Sequence, residues 1–292
     1  MSQFPAYNTT FPAHGKINLG LQVFGRREDG FHEIETVMLP IGWRDTVSVH
    51  PSASFDFTCS DPSLPVDDTN LVVRAAKAFS EAVGSTEAFK LNLEKVLPYG
   101  AGLGSGSSDA ATTLLALNEL SESRLSDSEL YHIAAEIGSD VPFFLVRQAC
   151  VATGRGEVLS PLRGTEGEPY SLPYSLVVAV PDVHVSTAEA YSMITPRRRN
   201  RNDLAKAVLS NDLDRWRREL VNDFQGPVAS RYPSVQRGLD LLEEGGAGYF
   251  SLSGSGSAVF GVFKNDDDAQ RAFILLELRG FRVWIESSTP AS

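Results

Sequence analysis

The amino-acid sequence predicts an α+β protein of two domains, and three observations carry this prediction. Strand-like alternation of apolar residues recurs from residues 10–23 to residues 281–286. Segments with helical periodicity lie between these strands in both halves of the chain. A stretch rich in Gly, Glu and Pro at 163–173 separates the halves, so we expect domains at 1–165 and 166–292.

The N-terminal half begins with strand patterns and then alternates strands with helices. Strands are predicted at 10–23, 31–41, 46–50, 55–59, 89–93, 141–144 and 149–153, and helices at 70–82, 109–120 and 126–137. Asn70 is a candidate N-cap, and Ser126 begins a capping box with Glu129. Gly138 is expected to close its helix in a left-handed conformation.

The C-terminal half shows the same mixture of periodicities. Strands are predicted at 176–180, 249–252, 258–263 and 281–286, and helices at 187–193, 203–220, 232–244 and 267–278. The uniformly apolar run at 176–180 indicates a strand that is buried on both faces.

Composition limits the classes of protein to which the chain can belong. With 292 residues and 42% hydrophobic content, the chain can bury a substantial core. The net charge of −11 argues against nucleic-acid binding, and the basic cluster at 197–201 is interpreted as a solvated loop or, alternatively, a phosphate-attracting patch. No apolar run reaches the roughly 18 residues of a membrane span, and residues 1–10 lack a signal pattern. We therefore expect a cytoplasmic protein with no membrane partner.

The strongest functional signal is a glycine-rich segment between a predicted strand and a predicted helix. Glycine permits torsions that turn successive N–H groups toward one anion, and a following helix adds its N-terminal N–H groups. We therefore predict that this segment binds the phosphates of ATP; a flexible turn is the alternative. Its residues are Pro98, Tyr99, Gly100, Ala101, Gly102, Leu103, Gly104, Ser105, Gly106, Ser107 and Ser108. The last two serines are candidate helix caps and candidate ligands of Mg²⁺.

Two charged residues and one aromatic pair are further candidates. Lys16 lies inside an apolar strand, where lysine rarely lies without a partner; an outward-facing lysine is the alternative. Asp140 stands between a helix end and the extended residue before Pro142, and a capping or turn carboxylate is the alternative. Phe31 and His32 follow a tight turn and could bind a flat base, unless they are a core phenylalanine and a surface histidine.

Taken together, five motifs resemble the GHMP kinase superfamily, and the resemblance runs over residues 13–263. It implies an N-terminal domain like domain 2 of ribosomal protein S5 and a C-terminal ferredoxin-like domain. The Lys-Ile-Asn-Leu and Arg-x-Asp-Gly-aromatic-His motifs, with the glycine-rich segment, resemble the branch that phosphorylates the cytidine diphosphate derivative of methylerythritol in non-mevalonate isoprenoid synthesis. The motifs lie at 15–21, 25–32, 98–111, 138–144 and 252–257.

The resemblance also implies roles for single residues. Lys16 and Asp140 are its catalytic lysine and aspartate, ATP is the phosphoryl donor and Mg²⁺ the metal. Ser105 stands where the family commonly has glycine, and a positive φ there would cost about 1–2 kcal/mol. The implied substrate contacts are Asn18, Phe31, His32, Thr187 and Tyr191.

Three other functions stay open at this point. The first is another GHMP kinase, acting on homoserine, mevalonate or a sugar, which would not need Phe31 and His32. The second is a non-catalytic nucleotide-binding homologue, against which the intact Lys16 and Asp140 argue. The third is an RNA-binding module, which the negative charge disfavours. The sequence predicts either a monomer or a homodimer and does not identify the metal ligands.

Overall fold

The structure, a computed structural model, describes residues 9–84, 88–195 and 202–288. The basic cluster at 197–201 lies outside the described residues. The strands within these ranges are β1 (Thr9–Arg26), β2 (His32–Pro51), β3 (Asp56–Cys59), β4 (Phe89–Glu94), β5 (Cys150–Gly154), β6 (Val158–Pro161), β7 (Ser175–Val180), β8 (Tyr249–Leu252), β9 (Val259–Phe263) and β10 (Arg282–Glu286).

The helices alternate with these strands in both halves of the chain. Within the described ranges, none of them is long and apolar enough to cross a lipid bilayer. They are α1 (Leu71–Val83), α2 (Ser105–Leu120), α3 (Asp127–Ile137), α4 (Val141–Val146), α5 (Thr187–Ser192), α6 (Leu204–Leu209), α7 (Leu213–Glu219), α8 (Gln225–Arg231), α9 (Pro233–Glu244) and α10 (Asp266–Glu277).

The strands form two sheets. One sheet has the order β3-β4-β2-β5-β6, with β1 also paired to β2. The other has the order β10-β7-β9-β8, and its neighbouring strands are all antiparallel. Its central strand β7 is buried along its whole length, as the uniformly apolar run predicts.

The chain divides into two compact units, each built from several segments. Of the described residues, the first unit takes 9–15, 42–99 without the gap at 85–87, and 104–147. The second unit takes 16–41, 100–103 and 148–288 without the gap at 196–201. Because each unit combines several separate segments, the units do not test a single domain boundary in the sequence. The domains at 1–165 and 166–292 stay a prediction.

In the first unit, helices α1 to α4 pack on one another, and β4 pairs with both β3 and the second half of β2. The predicted caps of two helices are confirmed. The side chain of Asn70 accepts a hydrogen bond from the N–H of Val72, and Ser126 and Glu129 form the reciprocal capping box. Such caps satisfy N–H groups that a helix leaves unpaired at its start.

In the second unit, α9 and α10 pack on the four-stranded sheet. The core between them collects the apolar faces of both helices and of β7 and β9, including Val177, Leu239, Leu242, Val259 and Leu276. The first half of β2 pairs with β5 in this unit, at Ile34 to Met38 opposite Cys150 to Gly154. The second unit thus contains residues 16–26 of β1 and 32–41 of β2, which carry the predicted site residues Lys16, Asn18 and His32.

Two predicted elements around Asp140 are wrong. Residues 141–144 form the start of helix α4 rather than a strand, because Pro142 lies in the first turn, where its missing N–H is not needed. A four-residue apolar run cannot by itself distinguish a strand from a buried helix. Gly138 ends α3 with φ −179° and is extended, so the expected left-handed closure is also wrong.

Two other boundaries differ from the predictions. The single helix predicted at 203–220 is two helices, α6 and α7, because Asn211 takes a left-handed φ of 48° and Asp212 caps the second one. Helix α2 begins at Ser105 rather than at Asp109, so the serines of the glycine-rich segment lie within its first turn. The predicted capping role of Ser107 and Ser108 is therefore wrong; the N-cap is Gly104.

Gly102 packs against the loop Leu252–Ser257, called here the second glycine-serine loop. The hydroxyl of Ser253 donates a 2.9 Å hydrogen bond to the carbonyl oxygen of Gly102. Gly102 has φ +79°, and a Cβ added there would overlap the carbonyl oxygen of Ser253. Both the torsion and the close approach therefore require glycine.

We predict that Gly102→Ala destabilises the protein more than Gly84→Ala does. Gly84 has a similar φ of +62° but faces open space, so its replacement costs only the left-handed strain, about 1 kcal/mol. Gly102→Ala adds a clash with backbone, for a total of about 2–4 kcal/mol. Thermal unfolding of the two variants measures the difference; equal melting temperatures would contradict the packing described here.

Candidate active site

Lys16, the predicted catalytic lysine, lies on β1 in the second unit and is only 4% exposed. Its Nζ donates a 2.6 Å hydrogen bond to Oδ1 of Asn18. The alternative of an outward-facing surface lysine is therefore wrong. A buried ammonium group is costly unless polar groups surround it, so this part of β1 keeps a polar environment inside an apolar strand.

Asn18 continues a row of buried hydrogen bonds. Its Nδ2 donates to Oγ1 of Thr36 at 3.0 Å, and that hydroxyl donates to the carbonyl oxygen of Gly20 at 2.6 Å. Because both ends of the Asn18 amide are engaged, its Oδ1 is held toward Lys16. Thr36 was not predicted, since an isolated threonine in a strand gives no functional signal.

The part of the glycine-rich segment in the second unit is held by its carbonyl oxygens. The N–H of Ala258 donates to Ala101 at 3.0 Å, the Ser253 hydroxyl to Gly102, and the N–H of Lys16 to Leu103 at 2.9 Å. Backbone that binds an anion must turn its carbonyl oxygens away from that anion. Three consecutive carbonyls are here engaged by donors of the same unit, which favours that orientation.

Helix α2, which begins within the glycine-rich segment, starts without a capping side chain. Gly104 is the N-cap of α2 with φ 70° and ψ 18°, and Gly100 and Gly102 also have positive φ values. The first N–H groups of a helix need partners, and an anion at the positive end of the helix dipole supplies them. The geometry of α2 therefore fits the predicted binding of phosphate.

Ser105, the residue that stands in place of a common glycine, is not strained. It is the first residue of α2, and positive φ among described residues other than glycine occurs only at Arg147 and Asn211. The expected conformational cost is therefore wrong. Its buried hydroxyl accepts a hydrogen bond from Lys95 and donates one of 3.2 Å to Asp45. Ser105 can thus contribute to phosphate binding only through its backbone.

A buried charged cluster that the sequence did not reveal surrounds Ser105 in the first unit. Lys95 Nζ donates to the carboxylates of Asp45 and Asp109, the latter at 2.7 Å. Burial, with a smaller effect from Asp45, raises the pKa of Asp109 to about 8, and the nearby Lys95 ammonium opposes this rise. Lys95 and Asp45 lie in strand-like stretches that resemble ordinary surface strands, so spacing gave no signal.

Asp140, the predicted catalytic aspartate, lies in the first unit and is half-buried. It is the N-cap of α4, but its side chain makes no capping hydrogen bond to that helix. The interpretation of Asp140 as a helix-capping carboxylate is therefore not supported. A short helix with Pro142 in its first turn fixes the backbone at this position.

His32 and Tyr191, two of the predicted substrate residues, stack on each other in the second unit. Their ring centroids are 4.7 Å apart, with an interplanar angle of 16°. Tyr191 also meets Phe224 edge to face at 4.9 Å, so its ring is held from a second side. Thr187, one turn before Tyr191 on α5, places its hydroxyl 3.3 Å from that of Ser255.

Phe31 is in contact with a different side chain, Arg155. Its ring is 52% exposed, and Cζ of Arg155 lies 5.0 Å above the ring centroid. Glu33 holds the turn before Phe31 near β5, since it pairs with Arg27 at 2.7 Å and accepts a hydrogen bond from the N–H of Gly154. Arg155 was not predicted, because a Gly-Arg-Gly turn has many structural uses.

The described residues contain no group of three or more His, Cys, Asp and Glu side chains arranged to hold a metal ion. A metal that arrives with a nucleotide needs fewer protein ligands, because phosphates and water fill most of its coordination shell. Among the described residues, the buried hydroxyl of Ser108 has no hydrogen-bond partner and is a candidate oxygen ligand.

Comparison with protein families places both halves of the chain. Residues 70–148 match the GHMP kinases N terminal domain, and residues 204–273 match the GHMP kinases C terminal domain. The 4-diphosphocytidyl-2-C-methyl-D-erythritol kinase of Salinibacter ruber (strain DSM 13855 / M31) is 48% identical over 272 residues, which cover 93% of this chain and 95% of that protein.

Solved structures agree with this result. A crystal structure of 4-(cytidine 5'-diphospho)-2C-methyl-D-erythritol kinase superposes with a TM-score of 0.79 at 35% identity, covering 95% of this chain and 98% of that one. The homoserine kinase from Cytophaga hutchinsonii ATCC 33406 has a TM-score of 0.71 at 17% identity, over 98% of this chain and 96% of that one, and shows a shared fold alone. The chain therefore has the two-domain GHMP kinase fold, and it belongs to the family of the 4-diphosphocytidyl-2-C-methyl-D-erythritol kinases.

Proposed function

We propose that the chain transfers the γ-phosphoryl group of ATP to the 2-hydroxyl of 4-diphosphocytidyl-2-C-methyl-D-erythritol, giving the 2-phosphate and ADP. Membership of the GHMP kinases makes the chain an ATP-dependent small-molecule kinase. The reaction belongs to non-mevalonate isoprenoid precursor synthesis. The observation that carries the choice of substrate is the stacked His32–Tyr191 pair, which lies in the same unit as Lys16 and Asn18.

In this proposal, Asp140 and Lys16 carry the chemistry. Asp140 accepts the proton of the 2-hydroxyl as that oxygen attacks the γ-phosphorus, and ADP leaves with the bridging oxygen. Lys16 stabilises the negative charge on the transferred group, and Asn18 holds the ammonium of Lys16 in place. Phosphoryl transfer depends mainly on such positioning and charge stabilisation, so two side chains and a bound nucleotide suffice.

ATP binds, in this proposal, at the glycine-rich segment through backbone N–H groups. The uncapped start of α2 at Gly104 supports this assignment, and the exposed ring of Tyr99 beside Gly106 offers a face to the adenine. Ser107 and Ser108 would hold Mg²⁺, since hydroxyl oxygens suit this hard cation. Bound there, Mg²⁺ would neutralise charge on the β- and γ-phosphates.

The cytidine is held, in this proposal, on the surface around His32. The stacked rings of His32 and Tyr191 offer an aromatic face to the cytosine, and the Thr187 hydroxyl offers a polar contact. Phe31 offers a further exposed ring to the same ligand. Because cytidine does not react, its binding energy serves to align the distant 2-hydroxyl. A cytoplasmic location and a monomeric or homodimeric state stay predictions.

We predict that Asp140→Asn and Lys16→Met each cripple turnover while the protein stays folded. A positioned proton acceptor contributes about 100- to 10,000-fold, and a loose transition state puts Asp140 at the low end of this range. Methionine keeps the buried stem of Lys16 and removes only its charge. The control is Asp127→Asn on α3, an exposed carboxylate of the same unit as Asp140. Near wild-type turnover in a variant with an unchanged melting temperature would refute the role of that residue.

The substrate is tested by following ADP release from the wild type with four acceptors. We expect turnover with the cytidyl substrate and almost none with homoserine or mevalonate. Methylerythritol 4-phosphate, which lacks the cytidyl group, should be a very poor acceptor in turnover as well as in affinity, because the lost contacts align the reacting hydroxyl. Equal efficiency with and without the cytidyl group would refute the proposed substrate.

His32→Ala and Tyr191→Ala then locate the cytidine site within the same assay. Loss of base stacking costs about 1–3 kcal/mol, or roughly 5- to 150-fold in kcat/KM. Each variant should lower kcat/KM for the cytidyl substrate more than for methylerythritol 4-phosphate. The ratio of the two kcat/KM values should therefore fall. Phe55→Ala, which removes a half-exposed ring of the first unit, should leave the ratio of the two substrates unchanged.

A further inference from the structure

Lys95 is buried beside the glycine-rich segment, yet its ammonium group is fully occupied by the protein. A lysine has three N–H donors, and those of Lys95 reach Asp45, Ser105 and Asp109. Its side chain is 4% exposed, and those of Asp45 and Asp109 are equally inaccessible. Lys95 therefore has no donor left for a phosphate and acts only through the groups that it binds.

Those groups lie at both ends of the glycine-rich segment. Before the segment, Oδ1 of Asp45 accepts hydrogen bonds from the N–H groups of Val96 and Leu97, the latter at 2.7 Å. At the other end, Ser105 within the segment and Asp109 just after it lie in the first two turns of α2. Through Asp45, the Lys95 ammonium is connected to the residues just before the segment, and through Ser105 and Asp109 it is connected to the start of α2. All of these residues belong to the first unit.

We propose that Lys95 is a positioning residue for ATP: its buried contacts with Asp45, Ser105 and Asp109 hold the uncapped start of α2 in the orientation that receives phosphate. The inference rests on the proposed ATP site but not on the identity of the acceptor substrate. A backbone site must be held rigidly, because its donors lose their value when they point away from the anion. The three side chains around the Lys95 ammonium are buried with it, so water does not compete for these hydrogen bonds.

The test separates positioning from stability by removing the charges singly and together. Lys95→Met leaves two buried carboxyl groups without their cation and lowers the melting temperature. The triple variant Lys95→Met, Asp45→Asn, Asp109→Asn removes all three charges at once and should recover much of that loss. Lys77→Met is the matched control, since it breaks an exposed pair with Asp68 on the first unit.

Titration calorimetry with ATP and Mg²⁺, without acceptor, gives the readout. We expect ATP binding to weaken about tenfold or more in both Lys95 variants, about threefold in Ser105→Ala, and by less than about twofold in Lys77→Met. The triple variant decides the matter, because its stability recovers while the hydrogen bonds of the Lys95 ammonium stay absent. ATP affinity within about twofold of wild type in the triple variant would overturn the inference.

Two further outcomes are covered by the same experiment. If Lys95→Met does not fold, the triple variant and Ser105→Ala carry the test, and wild-type affinity in both would overturn the inference. If the wild type binds ATP but does not phosphorylate the cytidyl substrate, the proposed function fails while the positioning role of Lys95 is still tested.

Discussion

The uncapped N-terminus of α2 is the constraint on which the rest of the site depends. A helix start without a capping side chain leaves N–H groups that require an anion or water. In this protein the N-cap of α2 is Gly104, which has no side chain with which to cap the helix. The carbonyl oxygens of residues 101–103 accept hydrogen bonds from other donors, which supports the proposal that this backbone offers N–H groups to a phosphate.

Two buried lysines illustrate how differently the same residue type is used. Lys95 gives all three of its donors to Asp45, Ser105 and Asp109 and is thereby committed to holding structure. Lys16 donates to Asn18, whose amide is held in turn by Thr36. Burial alone would have assigned both lysines to catalysis; the hydrogen bonds of Lys95 to three buried side chains exclude it from direct contact with a phosphate.

Much of the fold and of the candidate site could be predicted from the sequence. Periodicity predicted most strands, capping chemistry predicted the starts of α1 and α3, and motifs selected Lys16, Asn18, His32 and Tyr191, which the second unit holds in two hydrogen-bonded or stacked groups. Local signals failed where tertiary contacts decide. The run at 141–144 was too short to distinguish a helical from a strand periodicity. Asp45 lies 50 positions before Lys95 and 64 before Asp109 in the sequence, yet it belongs to the same buried cluster. Local sequence patterns do not predict contacts between residues so far apart in the chain.

The central claim is that the backbone of the glycine-rich segment binds the phosphates of ATP, and Gly104→Val tests it most directly. Valine disfavours the left-handed torsion and blocks the approach of phosphate, whereas Gly84→Val imposes similar strain at the distant end of α1. Titration calorimetry with ATP and Mg²⁺ measures the affinity of each folded variant. The account predicts an affinity about tenfold or more below wild type for Gly104→Val and an unchanged affinity for Gly84→Val. Equal affinities for the wild type and Gly104→Val would contradict it.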